Sequence, residues 1–139
     1  MTKLSFTKAA QALGINTLGG IGTKWCDIDP DGVMVLMAHS SYFKKFKKDG
    51  KTLVKYIDPG SDKANKYGPA IRSLDALGDY YSPGREILLI EAEFKTDGSP
   101  SESAEFDYAT GVIFRAKFED FDRLQGRIVC HVYDKFQIS

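Results

Sequence analysis

Apolar and polar positions along the chain follow two rhythms. Ala70, Leu74, Leu77 and Tyr81 recur at intervals of 4, 3 and 4, one apolar stripe that predicts a helix over about 69–80. Pro69 suits its first turn, and Ser82-Pro83-Gly84 ends it. A short N-terminal helix is predicted over residues 7–13 (TKAAQAL), closed by Gly14. β-prone, largely alternating runs at 25–28, 33–39, 52–57, 86–95, about 109–118 and 127–138 predict strands. Residues 120–126 join the last two as a hairpin, and 96–103 (TDGSPSES) form a polar, mobile loop. The expected fold class is α+β, a mostly antiparallel sheet of five or six strands with one main helix and the short N-terminal one.

Alternation also assigns directions. In the last strand Ile128, Cys130, Val132, Phe136 and Ile138 point to the core, and Val112, Phe114, Ala116 and Phe118 do so in the strand before it. That leaves Arg115, Lys117, Arg127, His131, Tyr133 and Lys135 outward as one basic and aromatic set, suited to an anion, a phosphate backbone or an acidic partner. Against this stands the plainer expectation that a helix or acidic residues cover them.

The size, 139 residues, accommodates one globular domain over 1–139. A chain this long buries roughly 68% of its unfolded surface and needs neither disulfides nor metal to fold. No apolar run approaches the ~18 residues of a membrane span, and the N-terminus lacks the apolar core of a secretion signal, so a cytoplasmic protein is expected. Two cysteines, Cys26 and Cys130, outside any CxxC pair, fit reduced, buried thiols. The net charge of zero hides a segregation. Residues 41–72 carry nine Lys/Arg against three Asp/Glu, whereas 73–122 carry four against twelve. Such blocks either make opposed faces or neutralise each other in space.

The segment CDIDPDGVMVLMAH holds Asp27, Asp29 and Asp31 followed by Gly32, the first half of a calcium loop. An EF-hand needs a carboxylate at position 12, where this chain has Ala38, and an exiting helix where it has Val33-Met34-Val35. Pro30-Asp31-Gly32 between two extended runs predicts a hairpin turn instead. Ala9 to Asn16 (AAQALGIN) resembles the first helix and turn of a helix-turn-helix, but three glycines, Gly19, Gly20 and Gly22, stand where a recognition helix belongs. Those glycines with Thr23 and Lys24 do not make a phosphate-cradling loop, because the order GK[ST] and the strand-to-helix setting are both missing.

Catalytic candidates are few. Glu93-Phe94-Lys95 matches the E-x-K element of a nuclease class, in which the carboxylate holds Mg²⁺ and the lysine supports the attacking water, but a partner aspartate on an adjacent strand is missing. His39 ends an otherwise apolar row just before Ser40 and Ser41, and His131 is the second histidine. Cys130 and His131 are consecutive and point to opposite faces, which argues against a zinc site with Cys26 and His39.

The run Tyr42-Phe43-Lys44-Lys45-Phe46-Lys47-Lys48 interleaves aromatics and lysines, which suits nucleic acid, with rings for stacking and ammonium groups for phosphates. Its plainer account is an amphipathic turn with Phe43 and Phe46 in the core. The leading expectation is a small non-enzymatic module that binds nucleic acid or another anion through a basic and aromatic sheet face. Its alternatives are a protein-interaction or regulatory module, as a homodimer or with an acidic partner, and a metal-dependent nuclease or small hydrolase. No cofactor and no membrane are implied.

Overall fold

The computed structural model describes residues 4–15, 26–60, 68–94 and 106–138. Gly19 to Lys24, Lys95 and the 96–103 loop lie outside them. The elements are α1 (Phe6–Ala12), β1 (Cys26–Ile28), β2 (Met34–His39), β3 (Phe43–Lys48), β4 (Lys51–Asp58), α2 (Gly68–Tyr80), β5 (Glu86–Phe94), β6 (Phe106–Asp122) and β7 (Arg127–Gln137). The strands form one sheet in the order β1-β2-β5-β6-β7-β4-β3. Neighbours are antiparallel except β2 and β5, which run parallel.

The α+β class and the mostly antiparallel sheet stand, with β2 and β5 as the one parallel pair among the described residues. The strand number is corrected: the sheet has seven strands among the described residues where the hydrophobic pattern gave five or six. The added strand is β3, FKKFKK, which the pattern gave as an amphipathic turn. Lysines at four of its six places hide the alternation. Its partner β4 follows through Asp49 (φ 53°) and Gly50 (φ 75°), and Lys48 pairs with Lys51. Two consecutive left-handed residues between paired strands make a tight hairpin turn whose twist matches that of the sheet.

The sheet is strongly rolled, and chain connectivity requires it. β2 ends at His39 and β3 begins at Phe43, with only a 3-10 turn, Ser40–Tyr42, between them. In the sheet order these two strands lie five places apart. A flat sheet would separate them by about 24 Å, whereas four residues reach at most about 14 Å. Contacts across the roll confirm the closure: the Phe43 and Phe114 rings are 4.3 Å apart, and the His39 amide donates to the Tyr56 hydroxyl at 3.3 Å.

The concave side carries the larger core. Leu74, Leu77 and Tyr80 of α2 pack there on Cys26, Met34, Leu36, Ile87, Leu89, Phe118 and Ile128. The Tyr80 hydroxyl donates to the Glu86 carbonyl, and Arg123 forms an ion pair with Asp75 at 2.8 Å. On the convex side α1 sets Phe6, Ala9 and Ala10 over Val35, Ile90, Ala109 and Ile113. Ser5 caps α1, its hydroxyl accepting from the Lys8 amide.

Phe136 and Ile138 belong to this convex cluster, not to the face of Ile128, Cys130 and Val132 as simple alternation assigns. Val132 and Asp134 pair with the consecutive residues Ala116 and Arg115, so Tyr133 is an extra residue, a β-bulge. A bulge reverses every later side chain. Lys135, opposite Phe114, accordingly leaves the face that holds His131.

Candidate nucleic-acid interface

The aspartate loop is a turn. Oδ1 of Asp29 accepts from the amides of Asp31 and Val33, both at 2.9 Å, while the Asp29 amide donates to the Val33 carbonyl. Asp27 uses Oδ1 to accept from the Ile28 amide. These bonds align β1 with β2 and give the acidic shoulders a local structural task.

The catalytic candidates are not brought together. His39 is nearly buried at the end of β2; its Nδ1 accepts from the Ser41 amide at 3.2 Å and lies 2.8 Å from the Ser41 hydroxyl, capping the 3-10 turn. Because Nδ1 accepts an amide proton, the proton of the neutral ring sits on Nε2. Glu93 pairs across the sheet with Tyr108 near the end of β5, and its expected partner Lys95 lies outside the described residues. His131 stands in the middle of the sheet, between Lys55 and Lys117. Among the described residues no three His, Cys, Asp or Glu side chains are grouped as a metal site.

Asp58 ends β4 beside Tyr56. Burial pushes its carboxyl up to about 6, while hydrogen bonds from the Gly60 amide and the Tyr56 hydroxyl hold it back. Burial first, and then the Asp58 charge, raise the Tyr56 phenol well above its ordinary range. Burial likewise pushes the Cys130 thiol far up.

The convex side of β3, β4 and β7 brings the basic residues together. Cross-strand pairing places Lys44, Lys55, His131, Lys117 and Glu86 in one row across five strands. Directly paired residues share a face, so this row is a single surface feature. Arg115 and Tyr133 join it: the Tyr133 hydroxyl donates to Glu86 at 2.9 Å, and Lys117 Nζ lies 5.3 Å from the Tyr133 ring centre. Burial and that Glu86 contact raise the Tyr133 phenol. Arg127 reaches the same side and forms an ion pair with Asp120 at 2.7 Å.

Charge on this face is uneven. At the β6 and β7 end, Lys55 meets Glu119 at 3.0 Å and Arg115 meets Asp134 at 3.8 Å. Glu119 and Asp120 of the acidic stretch, together with Asp134, thus neutralise much of the surface that sequence alternation aimed outward. At the β3 and β4 end, Lys44, Lys45, Lys47, Lys48 and Lys51 are exposed and form no ion pair among the described residues. Phe46, expected in the core, is 43% exposed on the row's side, with Lys55 Nζ 5.9 Å from its ring centre. The Asp49-Gly50 turn was the available signal for this placement, because it pairs Lys44 with Lys55 and turns Phe46 outward. The chain matches no family model, no curated protein and no solved structure.

Proposed function

We propose that the protein is a non-enzymatic binding module for nucleic acid or a similar polyanion, and that the β3–β4 hairpin and the adjoining convex sheet face form its binding surface. The observation that carries this is the five hairpin lysines that form no ion pair among the described residues and are continuous with the row Lys44, Lys55, His131 and Lys117. Ammonium groups in ion pairs gain little from a polyanion. Those facing only water and counterions release the polyanion's own condensed ions on contact, which drives association. Hairpin geometry suits the task, since a two-stranded ribbon presents lysines on both of its faces.

A cytoplasmic setting fits two buried, reduced thiols. Among the described residues no helix is long and apolar enough to cross a membrane.

The test is binding of labelled single-stranded and double-stranded oligonucleotides across a salt series. Affinity should fall steeply with salt, and each lysine-to-glutamine change at 44, 45, 47 or 48 should flatten the slope by roughly 0.7–0.9. Absence of binding at low salt would remove this function. Light scattering on the same samples separates it from a self-associating regulatory module, which would show dimers without nucleic acid.

A further inference from the structure

Three ring-and-cation pairs lie on the convex face. Lys55 covers Phe46 at 5.9 Å, Lys117 covers Tyr133 at 5.3 Å, and Arg115 covers Phe136 at 4.7 Å. Phe46 and Tyr133 are 43% and 44% exposed. They stand on β3 and β7, with only β4 between, so about 10 Å of sheet separates them. Each offers a flat apolar face on which a base can stack. Neither belongs to the core under α1 or under α2.

We infer that the polyanion is a single strand of nucleic acid, whose bases stack on Phe46 and Tyr133 while its phosphates follow the hairpin lysines. The inference rests on the binding function proposed above and adds the ligand class. Two features of the face support it. Charge and rings are divided: the lysines that form no ion pair among the described residues cluster on the hairpin, while the zone around Tyr133 is nearly neutral through Glu86, Glu119 and Asp134. Neutral ground with rings suits base faces, which carry no charge, and the lysine tract suits the backbone. A strand also offers unpaired bases to flat rings, whereas a duplex keeps its bases stacked inside. Lys117 stands over the Tyr133 ring in a cation–π contact, and Lys55, 5.9 Å from the Phe46 ring centre, is held by Glu119, so an arriving base displaces Lys117 from its ring and meets Phe46 beside a lysine that is already paired.

The experiment compares five probes by anisotropy at fixed salt: a mixed-sequence single strand, an abasic strand of the same length, the matching duplex, and inorganic polyphosphate and poly-glutamate as competitors. The single strand should bind about ten-fold or more tightly than the abasic strand and the duplex. Phe46→Ala and Tyr133→Leu should each weaken single-strand binding roughly ten-fold and leave the weak polyphosphate competition unchanged. Tyr133→Phe keeps the ring and should bind as the parent does. Both side chains are surface groups, and circular dichroism of each variant checks that the fold persists. Equal affinity for the abasic strand, a preference for the duplex, or full binding by the Phe46→Ala/Tyr133→Leu double variant would each overturn base stacking while leaving polyanion binding in place. Poly-glutamate binding as tightly as the single strand would also overturn it, in favour of an acidic protein partner. Failure of every probe would remove both proposals.

Discussion

A β-carbon placed on Gly60 would lie 1.9 Å from the carbonyl oxygen of Gln125. The end of β4 is thus seated against the β6–β7 turn, and the Gly60 backbone has φ 76°, a left-handed value. Gly60→Ala combines two costs, the left-handed conformation and the overlap, and should destabilise the fold by about 2–5 kcal/mol. Gly84 has a similar φ, but open space where its β-carbon would stand. Gly84→Ala should cost only about 1–2 kcal/mol. Urea titration of the two variants measures the difference.

Asp58 should make stability depend on pH in a particular direction. Its folded pKa is about 6 against an ordinary 3.8, so burial favours the protonated carboxyl. Below about 4 the group is protonated whether folded or unfolded, and its contribution is fully present. As pH rises through 6 the folded chain must ionise a buried carboxyl, and that contribution is lost. The size is at most about 3 kcal/mol, and less to the extent that water reaches the side chain. Asp58→Asn, which keeps an acceptor for the Gly60 amide, should match the parent near pH 4 and exceed it in stability at pH 7–8. Equal stability at both pH values would contradict the assignment.

Asp29 should behave as a turn residue. Asp29→Ala removes the acceptor of two backbone amides and should cost about 1–2 kcal/mol. Millimolar calcium should leave the Tm of the parent protein unchanged, because the carboxylate is occupied by the backbone and Ala38 supplies no twelfth-position ligand. A calcium-dependent rise of several degrees would show that the loop binds the ion after all.

Both cysteines are free and buried, and their strands are not neighbours in the sheet. Neither thiol should react with a disulfide reagent in the native protein, and two equivalents should react in denaturant. Native labelling at Cys130 in particular would conflict with the burial that holds its thiol protonated.

The helices and the first hairpin were legible in the sequence because their signals are local. Leu74 and Leu77 sit on the helical stripe that predicts α2, and Pro30-Asp31-Gly32 marks the turn that Asp29 closes. β3 was not, because beyond Phe43, which reaches the core, Lys44, Lys45, Lys47 and Lys48 occupy both sides of an edge strand with no core beside them to select apolar residues. The bulge at Tyr133 has no compositional mark, since one extra residue changes the phase and not the kind of side chain. It alone moved Phe136 and Ile138 to the convex core and took Lys135 from the face of His131. The row of Lys44, Lys55, His131 and Lys117 depends on which strands are neighbours, a non-local property that alternation within a strand does not contain.

The parallel pairing of β2 with β5 also sets the order in which the chain can assemble. Met34 meets Ile87, so the two partners are 53 residues apart. The β3–β4 and β6–β7 hairpins can close as soon as they exist, but β2 has no central neighbour until β5 has been synthesised. At ordinary elongation rates that delay is roughly 3–10 s, during which Met34, Val35 and Leu36 lack their partner strand. Refolding of the whole chain should fall in the slow, millisecond-to-second range of non-local topologies. Nascent chains that end between residues 40 and 85 should be the most dependent on chaperones.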